Sequence, residues 1–244
     1  MKASPIRPQY MAAYIDHTLL RPEASAGDID RLCQEAIRYG FHAVCVNSSN
    51  ILQAKSCLQG STVKVCSVVG FPLGAIVTEI KAMETRRAIQ DGADEIDTVI
   101  NLGALKSGND SVGLDDLRTV VDACREGGVL CKAILETALL TEKEKAQACE
   151  NCIVAGADFV KTSTGFGPGG ATVEDVALLH DIVSPQGLQV KASGGIRTYT
   201  DAARMIKAGA ARLGTSSGNR IIDEAMDFEK EGISPSDVRS GLSS

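Results

Sequence analysis

Residues 141–165 read TEKEKAQACENCIVAGADFVKTSTG, the pattern of one helix, one glycine and one short strand. Thr141, with Glu144 three positions on, forms a capping box, in which each side chain satisfies a backbone N–H at the start of the helix. The charged stretch ends at Ala155-Gly156-Ala157, where glycine supplies the left-handed backbone that stops a helix without a Cβ penalty. Asp158-Phe159-Val160-Lys161-Thr162 then reads as a strand, too short for a second helix.

The unit recurs along the chain. Tyr39-Gly40-Phe41, Gln59-Gly60-Ser61, Asp91-Gly92-Ala93, Gly127-Gly128-Val129, Gln186-Gly187-Leu188 and Ala208-Gly209-Ala210 are equivalent junctions. With Gly156 they introduce strands predicted at 42–46, 63–69, 94–100, 129–135, 158–162, 188–192 and 211–214, and Tyr14-Ile15-Asp16 opens an eighth. Between strands lie helical stretches such as 77–90 (VTEIKAMETRRAIQ), whose Ile80, Met83 and Ile89 are expected to face the core. Strict alternation implies parallel strands joined by helical crossovers. Eight units without a composition break fit a closed (β/α)8 barrel better than an open doubly wound sheet. The expected organisation is one domain over 1–244, with residues 1–10 as an N-terminal extension and 230–244 as a C-terminal tail.

Composition narrows the function. The 244 residues are 44% hydrophobic and 23% charged, with a net charge of −6, so no basic face for nucleic acid or an anionic membrane is expected. No apolar run approaches a membrane span, and the start lacks the apolar segment of a secretory signal. Eight cysteines scattered through strands and helices read as reduced thiols in the cytoplasm. Cys149-x-x-Cys152 has no second pair and no nearby His, which argues against a metal or redox site.

Strands buried on both faces should be continuously apolar. Four of these carry a charge: Asp97 in EIDTVIN, Lys132 in VLCKAILE, Lys161 in DFVKTSTG and Lys191 in LQVKASGG. A structural ion-pair network is one reading, and a catalytic cluster is the other. Three cations and one anion do not neutralise each other, which favours chemistry. A lysine amine, ordinarily protonated near neutral pH, becomes nucleophilic when burial and a neighbouring cation disfavour its charge. It then adds to an aldehyde and forms an iminium, with Asp97 placed to shuttle protons.

The loops after the last two strands, Ser193-Gly194-Gly195-Ile196-Arg197-Thr198 and Gly214-Thr215-Ser216-Ser217-Gly218, stand where such barrels bind phosphate. Glycines let backbone N–H groups approach an anion. Thr164-Gly165-Phe166-Gly167-Pro168-Gly169-Gly170, after the sixth strand, is expected to border the same ligand. His17, His42 and His180 show no metal-binding spacing, and no GxGxxG follows the first strand, so neither metal nor dinucleotide is expected. His17 is either a substrate contact or a hydrogen-bonded structural residue. A lyase, transaldolase or isomerase acting on a phosphosugar, or a non-catalytic sugar-phosphate sensor, would all use these loops.

YIDHTLL (14–20), GADEID (92–97), DFVKTSTG (158–165) and KASGGIR (191–197) together resemble the deoxyribose-phosphate aldolase family, in the family's order and from about Tyr14 to Arg220. The resemblance implies a class I aldolase on a (β/α)8 barrel, without cofactor, that reversibly cleaves 2-deoxy-D-ribose 5-phosphate to D-glyceraldehyde 3-phosphate and acetaldehyde. It makes Lys161 the Schiff-base lysine, Lys191 the second lysine that depresses its pKa or relays protons, and Asp97 the proton donor and acceptor. Asp16, Lys132 and Cys45 would support them; on the residues alone Cys45 reads equally well as barrel packing. Thr164, Gly165, Gly194, Gly195, Arg197, Gly214, Ser216 and Ser217 would hold the phosphate, and a homo-oligomer, dimer or tetramer, is the expected assembly. Some relatives carry Lys where this chain has Phe166, and some end in a Tyr that this tail lacks.

Overall fold

The glycine junctions do what their position predicts. Gly40, Gly60, Gly92, Gly128, Gly156, Gly187 and Gly209 all adopt positive φ. The computed structural model describes residues 6–231. Its strands are β1 (Ile15–Leu19), β2 (Ala43–Val46), β3 (Lys64–Val69), β4 (Glu95–Val99), β5 (Leu130–Ile134), β6 (Phe159–Lys161), β7 (Gln189–Ser193) and β8 (Ala210–Thr215). All pair in parallel in chain order, and β1 closes on β8 through Ile15–Leu213 and Asp16–Gly214. The expected (β/α)8 barrel is borne out.

The helices are α1 (Pro8–Ala12), α2 (Ala26–Tyr39), α3 (Ile51–Cys57), α4 (Thr78–Gln90), α5 (Leu102–Lys106), α6 (Asp110–Gly127), α7 (Glu142–Ala155), α8 (Val173–Val183), α9 (Tyr199–Lys207) and α10 (Gly218–Glu231). Thr141 and Glu144 form the predicted capping box on α7, and Ser25–Asp28 and Thr198–Asp201 repeat it on α2 and α9. Of the stretch read as an N-terminal extension, residues 1–5 lie outside the described residues and residues 6–10 pack on the barrel: Pro8 of α1 is buried, and Tyr199 Oη donates to the Ile6 carbonyl at 3.0 Å. Of the expected tail, residues 232–244 lie outside the described residues.

Two apolar layers result from the alternation of side chains along each strand. The larger lies between strands and helices and includes Ile96, Leu135, Val160, Val190, Leu179 and Ile221. The smaller, inside the barrel, joins Leu20, Ala43, Cys45, Cys66 and Val68. The rest of the interior mixes the charged residues described below with buried apolar ones such as Phe159, whose ring centroid lies 5.5 Å from the Arg212 guanidinium carbon.

One expected face is corrected. On α4, Ile89 packs partly buried against the core as expected, but Ile80 and Met83 are exposed, and the buried positions are Lys81, Ala82, Thr85 and Ala88. The cause is long-range: Lys81 Nζ meets Asp116 of α6 at 2.5 Å and the Val99 carbonyl at 3.0 Å. A buried lysine with a carboxylate and a carbonyl is satisfied, and that pairing overrides the apolar periodicity.

Candidate active site

Inward positions on five strands bring the predicted charges together at the barrel axis. Asp97 is the centre: Oδ1 accepts from Lys132 Nζ at 2.8 Å, and Oδ2 accepts from Lys161 at 2.9 Å and Lys191 at 2.8 Å. Asp16 accepts from Lys191 Nζ and, at 2.9 Å, from Arg212. Glu95 completes the group, 2.6 Å from Lys132 and 3.0 Å from Arg212. The expected imbalance of three cations against one anion is therefore too large. Asp16 and Glu95 join Asp97, and Arg212 joins the three lysines, so four cations face three carboxylates. The predicted charges are thus joined in one ion-pair network.

Electrostatics follow from this packing. Burial opposes charge on Asp97, but Lys132, Lys161 and Lys191 outweigh it and hold the carboxyl well below its usual range. Asp16 and Glu95 are lowered in the same way, against burial, by Lys191 and by Lys132 respectively and then by Arg212. Burial likewise opposes the Lys191 ammonium, and Asp16 and Asp97 more than compensate, raising it above the ordinary lysine range. Lys132 is raised by Asp97, Cys66 and Glu95 against the same burial. Gly214 makes room for this arrangement, since a Cβ there would lie 3.2 Å from Lys191 Cε and 2.9 Å from Ser193 Cβ.

Lys161 differs from its neighbours. A cavity of about 350 Å³ opens at the C-terminal ends of the strands, and Lys161 alone among the cluster's lysines lines it. Thr164 and Gly165 border it from the β6 loop, Gly194, Gly195 and Arg197 from the β7 loop, Gly214 from the end of β8, and Ser216 from the loop between β8 and α10. Eight of the predicted residues thus share one space. Ser217 does not line it; its N–H donates to Thr215 Oγ1 at 2.9 Å. Phe166 stands at the mouth, edge-on against Phe71 with ring centroids 5.4 Å apart.

Other predicted residues sit elsewhere. Cys45 is fully buried in the interior apolar cluster and does not line the cavity. Its thiol is lowered by a hydrogen bond with Cys66, against burial. His17 points away from the axis, buried beside Phe41 with Nε2 2.7 Å from Glu35. Cys149 and Cys152 are buried inward on α7, with burial pushing Cys149 up to about 12. Sulfur and carboxylate atoms of Cys45, Cys66 and Asp97 lie close enough to share a metal ion. Three ammoniums already surround Asp97, so this donor set suits lysine better than a cation.

Thr18 and Arg21 line the cavity, and Glu95 and Arg212 complete the network, yet none was singled out in the sequence. A signal existed for two. Thr18 and Glu95 lie two residues from Asp16 and Asp97 and so share their strand face.

The family model described as DeoC/LacD family aldolase matches residues 10–224. The chain belongs to the DeoC/LacD family of aldolases. A deoxyribose-phosphate aldolase of Thermococcus gammatolerans is 56% identical over 221 residues, covering 90% of this chain and 98% of the relative. One from Streptococcus gordonii is 57% identical over 209 residues, covering 86% and 94%. Among solved structures, a tetrameric deoxyribose phosphate aldolase from Aeropyrum pernix superposes with a TM-score of 0.84 at 34% identity, with 93% of each chain covered. As an aldolase of this family, the chain is an enzyme.

Proposed function

We propose that the protein is a deoxyribose-phosphate aldolase of the lysine Schiff-base type, cleaving 2-deoxy-D-ribose 5-phosphate reversibly to D-glyceraldehyde 3-phosphate and acetaldehyde. The observation that carries this reading is the position of Lys161, between a buried carboxylate and a cavity whose far side is built from two glycine-rich loops.

The neutral amine of Lys161 adds to the open-chain aldehyde carbon, and loss of water gives the iminium. A proton leaves the hydroxyl on the third carbon, the bond between the second and third carbons breaks, and its electrons move into the iminium as an enamine. Glyceraldehyde 3-phosphate departs. Protonation at the second carbon and hydrolysis release acetaldehyde and restore the amine. Asp97 Oδ2, 2.9 Å from Lys161 Nζ, is the group through which these protons pass. Lys191 and Lys132 hold that carboxylate in place. The phosphate sits against Gly194, Gly195 and Ser216, with the N-terminus of α10 behind it and Arg197 and Arg21 at the rim.

Borohydride added with acetaldehyde tests the assignment. Mass spectrometry should find the reduced adduct on Lys161 and on no other residue. Lys161→Arg keeps the charge, loses the adduct, and should lower turnover by several orders of magnitude. An adduct that persists in this variant with turnover intact refutes the reading, as does an enzyme active without any adduct.

The same reading extends to assembly and location. Leu73, Val77, Ile80 and Met83 form an exposed apolar row on α4 and the loop before it, suited to pairing with a second copy in a dimer or tetramer. The tetrameric Aeropyrum pernix relative supports that choice. Light scattering should give a multiple of the 25.6 kDa chain mass, and Met83→Glu should reduce it. Eight free cysteines fit the reducing cytoplasm, and among the described residues no helix is long and apolar enough to cross a membrane.

A further inference from the structure

Glu136 follows β5 and is the one non-glycine residue with positive φ among the described residues, at φ 53° and ψ 60°. A side chain with a Cβ is held in this region only where surrounding contacts fix it. The residue is 3% exposed, and none of the described salt bridges includes its carboxylate. Its contacts all lead to one place. Both oxygens face the Thr164 N–H, at 3.4 and 3.3 Å, and Oε2 also accepts from Thr164 Oγ1. Thr164 Oγ1 in turn accepts from the Phe166 N–H at 3.0 Å. A Cβ on Gly167 would lie 2.7 Å from Glu136 Cδ and 2.9 Å from each oxygen, so the loop backbone rests directly on the carboxylate.

The braced segment is the β6 loop, whose Thr164, Gly165 and Phe166 border the cavity, three residues beyond Lys161. Its other edge is fixed independently, because the Ala171 N–H donates to the carbonyls of Ser193 and Gly194 in the β7 loop. A loop pinned at both edges presents one curvature to its ligand; freed at one edge, it samples several.

We propose that Glu136 is a positioning residue for the phosphorylated end of the substrate: through Thr164 it fixes the β6 loop against the β7 loop and thereby sets affinity for the phosphosugar without touching it. This rests on the phosphate assignment above and extends it to a residue outside the cavity. A carboxylate suits the task because it accepts from an N–H and a hydroxyl at once, which an amide cannot do with both of its ends.

The test compares Glu136→Asn with Glu136→Gln. Asn tolerates the left-handed backbone and so keeps the fold, but it is one methylene too short to reach Thr164. Gln reaches, keeps one acceptor and loses the other. Asn should raise KM for 2-deoxyribose 5-phosphate by about tenfold, the effect of losing a charged hydrogen bond, with Gln between Asn and the parent. The rate of acetaldehyde trapping on Lys161 should stay within about twofold of the parent, because nothing in the amine's own contacts changes. Trapping that falls in step with KM overturns the proposal and makes Glu136 a support of β6 as a whole. An unchanged KM in the Asn variant, with circular dichroism showing it folded, overturns it as well. Failure of the aldolase reading itself is separate: there the parent enzyme neither turns over the phosphosugar nor traps acetaldehyde.

Discussion

Lys161 and Lys191 donate to the same oxygen, Asp97 Oδ2, at 2.9 and 2.8 Å. Two cations on one acceptor atom divide the work by their remaining contacts. Lys191 is closed in by Asp16 and has no exposed surface, whereas Lys161 reaches the cavity. The geometry therefore fits one lysine as nucleophile and the other as a fixed charge.

That division predicts the behaviour of Lys191→Leu. A cation beside an amine favours its neutral form, and at an effective dielectric near 20 one a few ångström away is worth up to about 4 kcal/mol, roughly three decades of rate. Removing it should lower activity and acetaldehyde trapping at neutral pH, and both should return in part as alkali supplies neutral amine. A profile that stays flat and low from neutral pH to about pH 10 would instead make Lys191 a direct proton donor in the chemical step.

Stability should carry the signature of the same network. Asp16, Glu95 and Asp97 have folded values below their unfolded values of about 4, so their contribution is complete above about pH 4 and is lost as pH falls through the folded values. Lys132 and Lys191 are raised, so theirs is complete below about pH 10.4 and is lost as pH rises further. His17, lowered by burial against Glu35, adds a shallower decline below about pH 6.5. Asp97→Asn should cost on the order of 3–5 kcal/mol at neutral pH, because it leaves buried ammoniums short of a partner. Its acid limb should also be shallower than the parent's. Thermal unfolding against pH measures both, and parallel acid limbs would show that the network does not control acid stability.

What the sequence disclosed about this molecule depended on how local the cause was. Glycine junctions are local, since the left-handed turn and the residue that permits it coincide; strand positions followed from them to within a residue or two. Asp97, Lys132, Lys161 and Lys191 were legible because a charge inside an apolar strand stands out against its neighbours. Arg212 and Glu95 lie at or near strand starts, where polar residues are unremarked, and their partners are 117 positions apart. The face of α4 was misread because Asp116, which draws Lys81 inward, lies 35 residues on. Glu136 had no signal at all: its positive φ follows from contacts with Thr164 and Gly167, and no glycine or asparagine marks it.

The phosphate cradle gives the most selective prediction. Gly195 adopts φ +80°, lines the cavity, and has no atom within 4 Å of where a Cβ would stand. Space is therefore available, and only backbone strain and the chemistry of the added group remain. Asp and Asn both tolerate the left-handed region better than other residues with a Cβ, and they are nearly the same size. Gly195→Asp places a carboxylate where the substrate phosphate is proposed to sit, so two anions compete for Arg197 and for the α10 N-terminus. Gly195→Asn imposes the same backbone and bulk without the charge. Activity on 2-deoxyribose 5-phosphate should fall by about a hundredfold or more in the Asp variant and much less in the Asn variant, as expected for like charges in a partly desolvated site. Unphosphorylated 2-deoxyribose should be affected similarly by both variants, because it brings no anion to repel. Steady-state kinetics on the two sugars resolves the matter. Equal losses for Asp and Asn on the phosphosugar would mean that bulk, not charge, governs this loop and that the phosphate lies elsewhere.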